Sequence, residues 1–227
     1  KGIVRGFFLI GVGYLLRIPF LSWFSGYFNS YFLVIDVLQC IGLSLIIVVV
    51  IYYLCAKRVL LFSFILLVLG FLIFLSEPLY RNISFDTLPA LLNNYLSKDN
   101  GSIFTITPWF GYIAFGAYIA TLFHKYSNNP QFKKITVLSF FMLGWILIIY
   151  SSDILILLHE LMNIQLFLDA ANYNYLFTRL GNVFLYFSFF YAFENYLKFP
   201  LILKIGQKTL SIYVIHFTII YGSFVGI

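Results

Sequence analysis

Residues 59–75, VLLFSFILLVLGFLIFL, form an apolar run of seventeen residues that carries no charge. Similar runs cover residues 43–54 and 137–150, and short polar segments separate them. A helix needs about 20 apolar residues to cross a hydrocarbon core of about 30 Å. A strand of a membrane barrel would instead alternate apolar and polar residues. The pattern therefore predicts an all-α fold, a polytopic membrane helix bundle.

The composition agrees with a membrane protein. Hydrophobic residues make up 62% of the 227 residues and charged residues only 10%, and the mean hydropathy is +0.97. A soluble domain has a very different balance. We predict seven transmembrane helices, at residues 6–23, 33–54, 59–75, 109–123, 135–150, 179–197 and 209–227.

The distribution of charge predicts the orientation of these spans. Ten of the fourteen basic residues fall on one side of the predicted spans, and seven of the eight acidic residues fall on the other. Lys and Arg accumulate in cytoplasmic loops, so we expect a cytoplasmic N-terminus and an external C-terminus, in a bacterial cytoplasmic membrane. The net charge of +6 is spread over four separate segments, which excludes a nucleic-acid footprint.

The whole chain, residues 1–227, is predicted to be one transmembrane domain, because it shows no internal repeat and no linker. It begins with Lys1 rather than Met, without a signal-peptide cleavage pattern, so we expect the C-terminal portion of a longer protein. Cys40 and Cys55 are interpreted as small packing residues. Glycines in the spans suit close helix packing; they are Gly11, Gly13, Gly42, Gly70, Gly111, Gly116 and Gly144.

Two external segments are long. Residues 76–107 mix Pro and Asn with apolar residues, which indicates an ordered cap over the outer face. Residues 154–168 are apolar but interrupted by polar side chains, which indicates an interfacial helix or a re-entrant segment. The alternative is that both segments only connect spans.

Polar groups inside a membrane face a partner or a wet cavity, so they are the candidates for function. Arg17 lies about 16 Å from the start of the first predicted span, and Asp36 lies near the outer end of the second. If the first two predicted spans are antiparallel neighbours, Arg17 and Asp36 come close together. Gln39 shares the helix face of Asp36 through its i to i+3 spacing. The alternative is a buried ion pair that only fixes helix register.

Two more sets of polar residues are candidates. Arg179 and Asn182 share one helix face, which could hold an anionic or polyhydroxylated ligand, or Arg179 could simply reach lipid headgroups. His216 lies inside the last predicted span, where it could move a proton or simply bond a neighbouring helix. No His and Cys cluster has metal-ligand spacing, and no nucleotide-binding glycine loop follows a strand.

Three stretches together resemble one family. They are VIDVLQCIGLS at residues 34–44, TPWFGYIAFG at residues 107–116 and IGQKTLSIYVIH at residues 205–216. They resemble the membrane-embedded acyltransferases related to heparan-alpha-glucosaminide N-acetyltransferase. In the first stretch, Cys40 stands where the family's motif usually has Arg.

The resemblance implies transfer of an acyl group, commonly acetyl, from a cytosolic acyl-CoA to a sugar hydroxyl or amine presented from across the membrane. Acetyl-CoA would be a co-substrate rather than a permanently bound cofactor. The resemblance also places the family's proposed catalytic histidine upstream of Lys1, so the catalytic residue is unknown here, with His216 as a weak candidate.

The residues could supply the rest of such a site. Predicted substrate-binding residues are Arg17, Asp36, Gln39, Trp109, Arg179 and Asn182. The arginines and Gln39 could hold phosphates or hydroxyls, and the ring of Trp109 could stack on a sugar. Lys57 and Arg58 could attract the anionic nucleotide of CoA.

Two other functions stay open at the level of the sequence. A polar path made by intramembrane polar residues could pass a small solute or a proton, as in a transporter; its members would be Arg17, Asp36, Gln39, Asn182 and His216. A noncatalytic membrane subunit is the third alternative. The expected partners are the lipid bilayer, a sugar or glycan acceptor and, in an open alternative, a second copy of the chain.

Overall fold

The computed structural model describes residues 1–27, 30–83 and 87–221. These residues form helices and connecting loops, with no strand among them. The α-helices are α1 (Gly2–Leu16), α2 (Phe20–Phe24), α3 (Val37–Leu54), α4 (Val59–Leu75), α5 (Glu77–Tyr80), α6 (Ala90–Leu96), α7 (Ile106–Tyr126), α8 (Phe132–Met162), α9 (Gln165–Asn172), α10 (Tyr175–Ala192), α11 (Pro200–Gln207) and α12 (Thr209–Tyr221). Short 3-10 helices cover Ser30–Leu33 and Glu194–Leu197.

The chain divides into two compact units. Unit 1 consists of Lys1–Leu54, Ile83–Trp109 and Pro200–Ile227, and unit 2 consists of Cys55–Asn82 and Phe110–Phe199. The chain passes from one unit to the other at four points, and one of these, between Trp109 and Phe110, falls inside α7. The assignment of residues 1–227 to a single domain stays a prediction.

Three helices in the described ranges are long and apolar enough to cross a membrane: α3, α7 and α8. The shorter helices α1 and α4 and residues Thr209–Ile220 of α12 are also apolar. Each of the seven predicted spans coincides with a helix over much of its length. The all-helical prediction is confirmed, while the count of seven spans stays a prediction. Residues 222–227, the end of the last predicted span, lie outside the described residues.

The first predicted span, residues 6–23, is wrong as a single helix. The helix ends at Leu16, and the short α2 follows only at Phe20. Pro19 explains the break, because proline has no N–H and disfavours helical backbone at the preceding Ile18. Arg17 therefore lies at the end of α1 rather than inside a span.

The prediction for residues 154–168 is also wrong in its boundaries. Helix α8 continues through Met162, and Asn163, in a left-handed conformation with φ of 53°, ends it. Ser, Asp and His do not stop a helix, whereas Asn is one of the few residues that adopt the left-handed conformation readily. The separate helix α9 starts only at Gln165.

Unit 1 is built around close contact of α1 with α3. A Cβ on Gly42 would lie 2.6 Å from the carbonyl oxygen of Gly6, so only glycine allows this approach. Leu16 of α1, Leu38 of α3 and Phe217 of α12 form a buried cluster beside this contact. The ends of α1 and α3 that carry Arg17 and Asp36 are therefore held together by the packing of three helices.

Unit 2 has an aromatic core and a second glycine contact. Phe74, Phe115 and Phe177 pack together with ring centroids 5.3 Å apart for Phe74–Phe115 and for Phe74–Phe177. Helices α8 and α10 meet at Gly144 and Gly181, where an added Cβ would lie within 2.8 Å of the facing backbone oxygen. This contact fixes the separation of α8 and α10.

Candidate functional site

Arg17 and Asp36 form a partly buried ion pair in unit 1. The Arg17 Nε donates to Asp36 Oδ2 over 2.6 Å, and the two side chains are only 12% and 14% exposed. Arg17 caps the end of α1, and Asp36 lies immediately before α3. A charge-assisted bond of this length in a partly desolvated place is strong. The predicted approach of these two residues is confirmed, and their role in binding stays a prediction.

Gln39 extends this pair into the interior. Its side chain is fully buried, and its Oε1 accepts a hydrogen bond from the Asp36 backbone N–H over 3.2 Å. Its Nε2 has no hydrogen-bond partner among the described residues. A Cβ on Gly13 would lie 2.5 Å from Gln39 Cδ and Oε1, so the amide occupies space that glycine leaves on α1.

Residues of the segment predicted to be external pack over the start of α3. The Ile35 N–H donates to Ser102 Oγ over 3.0 Å, and Asn94 Nδ2 donates to the Leu33 oxygen over 3.0 Å. Ser102 and Asn94 are both buried. Burial raises the pKa of the Tyr95 hydroxyl, and the neighbouring Tyr14 hydroxyl adds to the shift. The part of the predicted cap that belongs to unit 1 is therefore ordered against the Asp36 region; Ser84, Phe85 and Asp86 lie outside the described residues.

Trp109 is half-buried at the start of α7. Its Nε1 donates to the Ile103 oxygen over 3.1 Å, and its ring lies 5.0 Å from the ring of Phe104. The indole thus anchors the segment that precedes α7 to the start of that helix. Stacking of this ring on a sugar stays a prediction.

His216 is exposed on α12 and has no hydrogen-bond partner within the described part of the chain. Its neighbour Phe217 packs against Leu16 and Leu38, next to Arg17 and Gln39 in the sequence. Helix α12 therefore places His216 at the same end of α1 as the ion pair.

Arg179 and Asn182 lie on exposed positions of α10 in unit 2. The Arg179 guanidinium is 5.2 Å from the centroid of the Tyr175 ring, and Asn182 Nδ2 donates to the Thr178 oxygen over 3.1 Å. The cation–π contact and the backbone bond hold both side chains against their own helix. Their predicted role in substrate binding is untested.

Lys57 and Arg58 are exposed between α3 and α4. Ala56 and Lys57 adopt left-handed backbone conformations, with φ of 49° and 61°, which turns the chain sharply into α4. Arg58 precedes the first residue of α4, and its N–H donates to the Cys55 oxygen over 2.9 Å. Attraction of CoA by these cations stays a prediction.

A cluster around Glu77 in unit 2 was not predicted from the sequence. Glu77 is buried, with its Oε2 3.9 Å from Arg81 Nη1, and the Arg81 guanidinium lies 3.7 Å from the centroid of the Tyr173 ring. Burial raises the pKa of Tyr80, and the nearby Tyr175 and Glu77 add to the shift. The available signal was an acid two residues after the apolar run 59–75, with an arginine at i+4.

Within the described ranges, no three His, Cys, Asp or Glu side chains lie close enough together to hold a metal ion. Arg17, Asp36, Gln39, Trp109 and His216 belong to unit 1. Lys57, Arg58, Arg179 and Asn182 belong to unit 2. The structure brings Arg17, Asp36 and Gln39 into one connected cluster.

Comparison with known protein families gives a match over most of the chain. Residues 1–159 match the family described as heparan-alpha-glucosaminide N-acetyltransferase, catalytic. No curated protein matches the chain, and no solved structure matches it. The matched residues include two of the three motif stretches, at 34–44 and 107–116, and they include Arg17, Asp36 and Gln39.

Proposed function

The chain belongs to the heparan-alpha-glucosaminide N-acetyltransferase family, and on this premise we propose that it is a multi-pass membrane acyltransferase. It transfers an acetyl group from acetyl-CoA to a sugar or glycan on the other side of the membrane. The observation that carries this proposal is the match over residues 1–159, because it is to the catalytic part of the family. The family and the apolar helices indicate an integral membrane protein.

The proposed topology has seven spans, with the N-terminus in the cytoplasm. Lys57 and Arg58 then face the cytoplasm, where acyl-CoA is available, and their charges attract its phosphates. The adjacent ends of α1 and α3 face outward, so the cluster of Arg17, Asp36 and Gln39 lies on the acceptor side.

The chemistry of this cluster suits a hydroxylated acceptor. Asp36 accepts hydrogen bonds and Arg17 donates them. A sugar hydroxyl both donates and accepts, so it can bond to both side chains. The Gln39 Nε2 is a buried donor without a described partner, and such a group costs about 1–3 kcal/mol when it is unsatisfied. An acceptor oxygen that reaches Nε2 would remove that cost, so ligand binding would be favoured there.

The test is acetyl transfer by the full-length protein that carries this chain, purified in nanodiscs. Radiolabelled acetyl-CoA is offered with a panel of amino sugars and glycans. We expect label in the acceptor fraction. Acceptor flux across proteoliposomes without any acetylation would overturn the proposal in favour of transport.

The cluster is tested with the double variant Arg17→Met with Asp36→Leu. Replacing a buried pair by apolar residues of similar volume often preserves stability, so the fold should survive. We expect the rate of acetyl transfer to fall at least about a hundredfold, because two charge-assisted hydrogen bonds to the acceptor are lost. The control is Arg5→Met, which removes an exposed arginine from the same α1 helix. Unchanged transfer in a folded double variant would show that the pair only holds α1 against α3.

A further inference from the structure

An open groove runs between the first turns of α8 and the last turns of α10 in unit 2. Its volume is about 1130 Å³. The walls are mostly apolar side chains; they include Val137, Leu138, Phe141, Leu185, Phe189 and Phe190. Ser188 also lines the groove, and its hydroxyl is satisfied because Oγ donates to the Val137 oxygen over 2.8 Å. The groove therefore presents an apolar surface with few polar groups available for hydrogen bonding.

The position of the groove relative to the bilayer follows from the charges on α8. Residues 135–152 carry no charge, and Lys134 and Asp153 border them. Eighteen residues of helix span about 27 Å, close to the thickness of the hydrocarbon core. Lys133 and Lys134 thus lie at one boundary of the core, and the apolar walls begin one turn further in. The groove opens to lipid chains along its length and to headgroups at its lysine end.

The lysine end carries a net positive charge. Lys133 Nζ lies 3.2 Å from Glu194 Oε2, and Lys198 Nζ lies 3.3 Å from Glu194 Oε1. Lys134 also lines the groove and is exposed, and it has no partner among the residues that the structure describes. Two lysines therefore share the Glu194 carboxylate, and Lys134 adds a further positive charge at the groove. An anionic group bound at the lysine end of the groove would offset this positive charge.

We propose that this groove binds an anionic phospholipid from the leaflet on the lysine-rich side. The acyl chains lie along the walls made by Val137, Phe141 and Phe189, and the phosphate binds Lys134 and the remaining N–H donors of Lys133. Basic pockets between helices at a membrane boundary recognise anionic headgroups in this way. A docked apolar helix of another protein would fill the walls, but it would leave the two lysines without an anion.

The test measures lipid retention by native mass spectrometry of the purified full-length protein in detergent. Two lipids with identical acyl chains are titrated, phosphatidylglycerol and phosphatidylcholine. We expect tighter retention of phosphatidylglycerol. Lys134→Ala should weaken it about fivefold, since one lysine near the surface is worth about 1 kcal/mol, and should leave phosphatidylcholine unchanged. Lys134→Arg should retain the preference.

Two further variants separate this groove from general surface charge. Lys125→Ala removes an exposed lysine of the same unit that does not line the groove, and it should have no effect. Leu138→Trp fills the groove and should reduce retention of both lipids. Thermal unfolding confirms that each variant is folded. Equal retention of the two lipids, equal effects of Lys125→Ala and Lys134→Ala, or a copurifying protein that Leu138→Trp releases would each overturn the proposal.

Discussion

At the scale of single residues, Gln39 depends on the absence of a side chain at Gly13. An alanine Cβ at position 13 would lie 2.5 Å from two atoms of the Gln39 side chain, so Gly13→Ala must displace the amide. We expect the bond to the Asp36 N–H to break and the protein to lose about 1–3 kcal/mol of stability, the usual effect of overpacking. Thermal unfolding measures the loss of stability, and the acetyl-transfer assay measures the consequence of displacing the Gln39 amide.

Gly11→Ala is the matched control on the same α1 helix. No atom lies within 4 Å of a Cβ built at Gly11. Alanine is the better helix former, so this variant should be neutral or more stable by up to about 1 kcal/mol. Equal stability of the Gly13→Ala and Gly11→Ala variants would show that the Gln39 side chain does not depend on the space that Gly13 leaves. Gly11 and Gly116 also correct the sequence interpretation, which assigned close packing to both glycines.

The ion pair of Arg17 and Asp36 gives a second prediction at this scale. Asp36→Asn removes the charge that balances a partly buried guanidinium, and we expect it to destabilise the protein by about 3 kcal/mol. The double variant Arg17→Met with Asp36→Leu should recover most of that loss. A double-mutant cycle on unfolding in detergent measures the coupling. Additive single effects would show that the two side chains do not interact in solution.

Local spacing predicted one cluster and missed another for a physical reason. Asp36 and Gln39 are three residues apart at the start of α3, so their proximity follows from local spacing, and the packing of α1 against α3 brings Arg17 beside Asp36. The Arg81 guanidinium instead stacks on Tyr173, which lies four helices later in the chain, after α6, α7, α8 and α9. No periodicity within a segment encodes that contact. Tertiary packing decided it.

At the scale of helices, the contact of α8 with α10 rests on two glycines. A Cβ at Gly144 would lie 2.8 Å from the Gly181 oxygen, and backbone cannot move aside as a flexible side chain can. Gly144→Ala should therefore push the helices apart and cost about 2 kcal/mol of stability. Gly116→Ala on α7, where nothing lies within 4 Å of a Cβ, is the control. Equal melting temperatures of the two variants would contradict the close contact.

Glu194 joins the second 3-10 helix to α8 through Lys133. Hydrogen bonds from Lys133 and Lys198 lower the pKa of Glu194 below its ordinary value of 4.5. The stabilisation is therefore fully present above pH 4.5 and is lost as the pH falls through the lowered pKa. Glu194→Gln should unfold earlier than the parent protein at neutral pH. Thermal unfolding at a series of pH values should show this difference shrinking in acid, whereas a constant difference would exclude the ion pairs as its cause.

Helix interiors were easier to predict than helix ends. The predicted spans 59–75 and 33–54 correspond closely to α4 and α3, because a long, mostly apolar sequence satisfies its backbone hydrogen bonds in lipid by forming a helix. The positions at which the helices end depended instead on single residues. Pro19 separates α1 from α2, and Asn163 ends α8, twelve residues beyond the predicted span 135–150.

At the scale of the whole molecule, the family was predictable because its motifs are local. The resemblance is confirmed over residues 1–159, which contain the first two motif stretches. The third stretch, at 205–216, lies beyond the match and stays a prediction. The division into two units was not predicted. It arises because Pro200–Ile227 joins Lys1–Leu54 in one unit, a contact between distant parts of the chain that composition does not reveal.

The proposed topology makes its sharpest prediction at the two ends of α8. A helix of 31 residues is about 46 Å long, more than the hydrocarbon core, so both ends must emerge if it spans. Single cysteines at Ser127 and Asn163, in a background with Cys40→Ala and Cys55→Ala, are labelled with an impermeant maleimide in intact cells. Asn163→Cys should react at once, and Ser127→Cys only after permeabilisation. Lys98→Cys, in the external segment, should behave as Asn163→Cys does. Reaction of Ser127→Cys and Asn163→Cys from the same side would show that α8 does not cross, because a straight helix that lies along the surface exposes both of its ends to one compartment.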